Sequence, residues 1–112
     1  MPFINVKTNT AVSKEKMDAI KTQLGKAITA LPGKSEAWLM VGFEPECALY
    51  FKGSDAPAAM VQVQTYGTGA QGTDALTGKI CTILEAELNV PKDRTYVSYF
   101  GTSNWGWNGG NF

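Results

Sequence analysis

Pro2, Lys34 and the run Gly67-Thr68-Gly69-Ala70-Gln71-Gly72 are candidate places for chemistry in a chain that contains no histidine. That absence removes serine–histidine and cysteine–histidine nucleophile pairs, H-E-x-x-H zinc sites and the only side chain that titrates unperturbed near neutrality. Proton transfer is left to a carboxylate, a lysine, a tyrosine or a chain terminus. An initiator methionine before a small residue is commonly removed, and loss of Met1 would make Pro2 a terminal secondary amine with a free lone pair. An ordinary α-amine titrates near about 7.7–8.0. Burial beside a cation disfavours the protonated form and lowers that value, giving a base that works near pH 7. The plainer reading stays open: proline is tolerated at the first position of a strand.

Lys34 follows Pro32-Gly33, where a helix would end. A lysine there offsets the negative end of the helix dipole, and it can also offer an ammonium to a substrate carboxylate. The glycine run has the G-x-G-x-x-G pattern of a dinucleotide fingerprint. A ribose-binding acid should end the next strand, yet Asp93 precedes that strand and Tyr99-Phe100-Gly101 closes it uncharged. The run therefore reads as a strand-to-helix loop. Cys47 and Cys81 are the two cysteines and form no C-x-x-C pair, which suits free thiols in a reducing compartment.

Ten basic residues balance ten acidic ones, so there is no electrostatic footprint for nucleic acid or an anionic membrane as the main partner. The longest apolar run, Ala37 to Phe43, is too short to span a bilayer. The start of the chain lacks the charged leader and apolar stretch of a signal peptide, so a cytoplasmic location is expected.

The elements that must position these residues come as a repeat. Phe3-Ile4-Asn5-Val6 and Val61-Gln62-Val63-Gln64 alternate as strands do, 58 residues apart; Lys34–Val41 and Lys92–Tyr99 form a second pair at the same offset. Between the members lie two amphipathic patterns: Met17, Ile20, Leu24, Ile28 and Leu31, then Leu76, Ile80, Ile83, Leu84 and Leu88. The plan is an α/β (α+β) fold of two β-α-β repeats, with a four-stranded mixed sheet and two helices on one face. One domain spans 1–112, with repeat units about 2–45 and 60–101 and a tail over 102–112. Ile4, Val6, Leu39, Val41, Phe43, Val61, Val63, Val97 and Tyr99 should face the helices. Phe3, Asn5, Trp38, Met40, Gln62, Gln64, Tyr66, Tyr96, Ser98 and Phe100 should share the opposite face. That face is too aromatic for water and too polar for a dry core, which predicts an oligomer. The tail, Trp105-Gly106-Trp107-Asn108-Gly109-Gly110-Asn111-Phe112, reads as an extended segment whose aromatics dock on its own subunit or a neighbour.

Met1-Pro2-Phe3-Ile4, Gly33-Lys34, Phe51-Lys52-Gly53-Ser54 before Pro57, Arg94-Thr95-Tyr96-Val97 and Gly106-Trp107-Asn108 together resemble the macrophage migration inhibitory factor family of the tautomerase superfamily. The resemblance implies a homotrimer and a cofactor-independent keto–enol tautomerase of phenylpyruvate-like α-keto acids. It implies Pro2 as general acid/base, Lys34 on the substrate carboxylate, and the Tyr66 backbone N–H on the substrate. Tyr96 and Ser98 would arrive from the neighbouring subunit, and Phe3, Trp38, Trp105 and Phe112 would line an aromatic wall. It also implies an alternative, a cytokine-like signalling or binding protein with a vestigial pocket, exported without a signal peptide to meet a receptor. Ala58 and Val61 stand where some members carry a C-x-x-C pair, so no thiol–disulfide activity is expected. Ser98 stands where asparagine is frequent. Thr102-Ser103-Asn104 is one residue shorter than in the best-known member, and Trp105 replaces a smaller apolar residue. No metal or organic cofactor is called for, since enolisation moves only a proton.

Overall fold

The computed structural model describes residues 1–112. A first unit runs β1 (Pro2–Thr8), α1 (Lys14–Ala27), β2 (Met40–Glu44); a second runs β3 (Ala59–Tyr66), α2 (Thr73–Leu88), β4 (Thr95–Thr102). The sheet order is β2-β1-β3-β4. β1 pairs with β2 and β3 with β4 in parallel, as a helical crossover demands, while β1 and β3 meet antiparallel at the centre. The sheet is mixed, as the repeat predicts.

Alternation sets the faces. Along β1, Pro2, Ile4, Val6 and Thr8 are buried while Phe3, Asn5 and Lys7 are only half-buried. Ile4, Val6, Val61 and Val63 meet Ile20, Leu24 and Ile28 from the first helical segment and Leu76, Ile80 and Leu84 from α2. Each such side chain contributes roughly 1.5–3 kcal/mol by leaving water. Leu39, Val41, Phe43, Val97 and Tyr99 pack against this core but stay partly exposed, since they sit on or beside the edge strands. Buried Thr8 satisfies its hydroxyl on the Ala58 carbonyl at 2.8 Å.

Ser13 starts α1 by accepting the Lys16 N–H at 3.1 Å. The apolar series predicts one helix through Leu31, but α1 closes at Ala27 and tightens into a 3-10 turn over Ile28–Ala30 ahead of Pro32. Ile28 and Leu31 are buried nonetheless. Asn89, in the left-handed region at φ 54°, ends α2.

Two expectations are corrected. Trp38 is not in a strand: Glu36–Trp38 forms a 3-10 turn and β2 begins at Met40. The pairing explains this, because Met40 lies opposite Phe3 and β1 offers almost nothing beyond Pro2 for earlier residues to pair with. The tail is not simply extended. Trp105 leads into a two-stranded hairpin, β5 (Gly106–Trp107) and β6 (Gly110–Asn111). Asn108 (φ 54°) and Gly109 (φ 87°) form its turn, and Asn-Gly is the pair that tolerates two successive positive φ angles.

The segment between β2 and β3 is held by two side chains. Asn9 donates to the carbonyls of Leu49, Asp55 and Ala56 and accepts the Ala58 N–H. Arg94 donates to the carbonyls of Phe51, Ser54, Ala56 and Pro57 and lies 5.3 Å over the Phe51 ring. No helix is long and apolar enough to cross a membrane. Cys47 and Cys81 are free thiols.

Candidate functional site

The sheet places the start of the chain beside the end of the first helical segment. Pro2 is buried, opposite Thr65 of β3. Gly33 takes φ +74° after Pro32, a turn that lets Lys34 swing back across the sheet end. The Lys34 ammonium donates to the Tyr66 carbonyl at 2.8 Å and sits 5.9 Å from the centre of the Tyr66 ring. The Tyr66 N–H, in turn, donates to the Met1 carbonyl at 3.2 Å. Pro2, Lys34 and the Tyr66 peptide, far apart in sequence, thus share one spot.

That spot disfavours a protonated amine. The Met1 amine is held below the usual α-amine range, first by burial, then by the charge of Lys34 and contact with its ammonium. Pro2, one residue deeper, is more buried than Met1.

Aromatic side chains wall the same end. Trp38 meets Trp107 edge to face with ring centres 5.1 Å apart. Phe112 lies 5.3 Å from Tyr66 and stacks on Trp107 at 6.5 Å. These separations fall in the range where aromatic pairs attract beyond simple area burial. The hairpin brings Trp107 and Phe112 to the same side, and the Phe112 N–H closes on the Trp105 carbonyl at 3.0 Å. Trp105 itself enters through that carbonyl, whereas the ring facing Trp38 belongs to Trp107. Trp107 is the member that sequence reasoning missed, and the Asn108-Gly109 hairpin signal was the clue that would have found it. Phe3 is half-buried on the open sheet face, opposite Met40 and Gln64.

Tyr96 and Ser98 are not part of this cluster within one chain. Tyr96 pairs with Met60 whereas Pro2 pairs with Thr65, a five-residue offset along β3 worth roughly 17 Å. Tyr96 is 61% exposed and meets Phe51 edge-on at 5.0 Å. Ser98 lies opposite Gln62 and so extends the polar row in which Asn5 donates to Glu44 at 2.6 Å and to Gln62 at 3.3 Å.

Beyond Lys34, the glycine run Gly67–Gly72 walls a pocket of about 420 Å³ shared with Lys34, Thr65, Thr73 and Tyr99. The Tyr99 hydroxyl bonds Thr77 at 2.8 Å and the Thr73 carbonyl at 2.9 Å, tying β4 to the first turns of α2. Asp93 lies in a 3-10 turn before β4, away from any strand end.

The model of the macrophage migration inhibitory factor family matches residues 1–112, the whole chain. The chain belongs to the macrophage migration inhibitory factor family. It is 28% identical to macrophage migration inhibitory factor of Xenopus laevis over 100% of this chain and 99% of that one. It is likewise 28% identical to a homolog from Trichuris trichiura, covering 100% of both. Its fold matches the crystal structure of MIF2 from Leishmania major with a TM-score of 0.92 at 32% identity, over 100% of this chain and 97% of that one. A homologue from Prochlorococcus marinus gives 0.87 at 25% identity, over 98% of each. The macrophage migration inhibitory factor family lies within the tautomerase superfamily.

Proposed function

We propose that this protein is a keto–enol tautomerase of phenylpyruvate-like α-keto acids, with Pro2 as the acid/base once Met1 is removed. The observation that carries this reading is what Met1 itself does. Its carbonyl takes the Tyr66 N–H and its amine lies against Lys34. Removal of that residue would free a backbone donor and an ammonium together, at the end of the chain where a secondary amine would then begin. A substrate carboxylate and adjacent carbonyl oxygen match one cation and one N–H. The ring of an aryl keto acid matches the wall of Trp38, Trp107, Tyr66 and Phe112. Neutral Pro2 would take a proton from the carbon next to the ketone and return it to oxygen, or the reverse. No net redox change occurs and the proton stays in the site.

The test is an enol absorbance assay on protein whose intact mass shows Met1 absent. Turnover is expected, with Met1-retaining protein inactive and Pro2→Gly slowed by about a hundredfold or more. Wild-type rates from Pro2→Gly, or from protein still carrying Met1, would remove Pro2 from the mechanism.

The second reading is a cytokine-like role, favoured by membership of a family named for its action on macrophage migration. Specific capture of a receptor by protein lacking turnover would select it.

A further inference from the structure

The outer surface of the helix layer differs from the sheet face. All eight large apolar side chains that are exposed lie in the strands, loops and tail, from Trp38 and Met40 to Trp107 and Phe112, and none is on α1 or α2. Between the helices runs a groove of about 660 Å³, lined by Gln23 and Lys26 of α1, Gly78, Lys79 and Thr82 of α2, and Lys92 after it. Three lysines line it and no carboxylate does. The chain's two ion pairs, Lys14–Asp18 and Lys16–Glu87, use none of the three. Glu87, which reaches Gln23, is already occupied: Gln23 donates to one of its oxygens at 2.8 Å and Lys16 to the other at 3.2 Å. Asp93 follows Lys92 in the chain and Glu85 lies on α2, but neither lines the groove. On a chain of zero net charge, the groove lining itself thus holds three cations and no anion.

Gly78 is the second observation. It sits inside a 16-residue helix, where glycine is among the least favourable residues. A Cβ built on Gly25 would strike the Glu36 side chain, but one built on Gly78 meets nothing within 4 Å. The chain's own packing therefore gives no reason for glycine at 78. A bare backbone suits the close approach of something from outside.

We propose that this groove binds a compact polyphosphorylated ligand, of the inositol polyphosphate class, held by Lys26, Lys79 and Lys92 over Gly78. The volume lies within the range of small-molecule sites, about 300–1,000 Å³. No aromatic ring lines the groove to stack a base, which disfavours a nucleotide. The lack of large exposed apolar side chains on the helices gives a membrane or a protein partner little to anchor on. This inference is independent of the tautomerase reading.

The experiment is calorimetric titration of the full chain with inositol hexakisphosphate, with sulfate at matched ionic strength as reference. Saturable binding with one ligand per chain is expected, weakening as salt rises. The triple variant Lys26→Gln/Lys79→Gln/Lys92→Gln should bind about tenfold more weakly or worse, since each exposed charge is worth a modest amount. Lys14→Gln/Lys21→Gln/Lys52→Gln, which removes equal charge elsewhere, should bind as the parent does. Gly78→Leu should raise the thermal midpoint, because leucine favours the helix, while weakening the ligand. A parallel arm offers phosphatidylcholine vesicles with and without phosphatidylinositol bisphosphate: retention that the groove triple abolishes assigns the source as a lipid headgroup, and binding confined to the soluble probe assigns a free ligand. Equal losses in the two triples, unimpaired binding by Gly78→Leu, tighter groove-dependent binding of a heparin hexasaccharide, or no saturation at all would each overturn the proposal.

Discussion

The amine at the start of the chain takes its charge state from burial and from Lys34 together. Burial penalises the protonated form of the α-amine, and the fixed positive charge of Lys34 adds to that penalty, so both push the amine toward the neutral state. For the processed protein, kcat/KM is expected to rise with pH through an apparent value below the ordinary α-amine range of about 7.7–8.0. Lys34→Met should have two separable effects. Loss of the ammonium should raise KM for an α-keto acid, and loss of its field should move the rising limb to higher pH, because the amine becomes easier to protonate. A pH–rate profile of both proteins checks this; a limb that stays in place would mean that Lys34 does not sense the base. The sequence made Pro2 and Lys34 legible as chemical types among several carboxylates, lysines and tyrosines, and only the family resemblance singled them out. The sequence itself did not place them together. That depended on Lys34 reaching Tyr66 and on β1 pairing with β3, contacts more than thirty residues apart that no local pattern encodes.

Elements were legible where periodicity was strong. The 58-residue offset and the spacing of Ile20, Leu24, Ile80 and Leu84 predict both helices and all four principal strands, because burying one face of a helix on one face of a sheet imposes those periods. Trp38 was misread because a strand ends where its partner ends, which is a property of β1 rather than of residues 35–39. The hairpin was misread because glycine-rich composition masked the Asn108-Gly109 turn. That turn gives a prediction: Gly109→Ala places a Cβ at φ 87°, which costs about 1–2 kcal/mol. The expected result is release of Trp107 from Trp38, seen as a red shift of tryptophan emission, with a higher KM for aryl substrates and little change in global unfolding. An unshifted spectrum would show that the hairpin holds without its turn. A second prediction concerns the tie between α1 and α2. Hydrogen bonds from Gln23 and then Lys16 hold the Glu87 carboxyl below the usual glutamate range. A carboxylate whose folded value is depressed contributes stability that is fully present above its unfolded value, about 4.3, and is lost as pH falls through the folded one. Glu87→Gln should therefore flatten the fall in stability on acidification below about pH 4.5. Denaturant melts at stepped pH measure it, and an unchanged slope would show the tie to be energetically silent.

For the molecule as a whole, the open sheet face decides what the chain must do next. Met40 at 67%, Tyr96 at 61% and Phe100 at 77% exposure crowd a surface on which Asn5, Gln62 and Ser98 form a polar row and Gln64 lies between Phe3 and Phe100. A monomer would leave those apolar side chains in water, whereas a closed ring of subunits would cover them. We therefore propose the homotrimer that the family resemblance implies, in which Tyr96 and Ser98 complete a neighbour's site. The register supports this: with roughly 17 Å of sheet between Tyr96 and Pro2 on one chain, the two can serve one pocket only across an interface. Complementation tests that arrangement directly. Pro2→Gly chains and Tyr96→Ala chains should each be poorly active. Unfolded together in equal amounts and refolded, they should assemble at random, so that about one interface in four pairs an intact Pro2 with an intact Tyr96. Activity near a quarter of wild type is then expected from the mixture, while native mass spectrometry reports three chains per particle. If the mixture gave only the average of its two parents, each pocket would have to be built from a single chain, and the exposed aromatic face would need another partner.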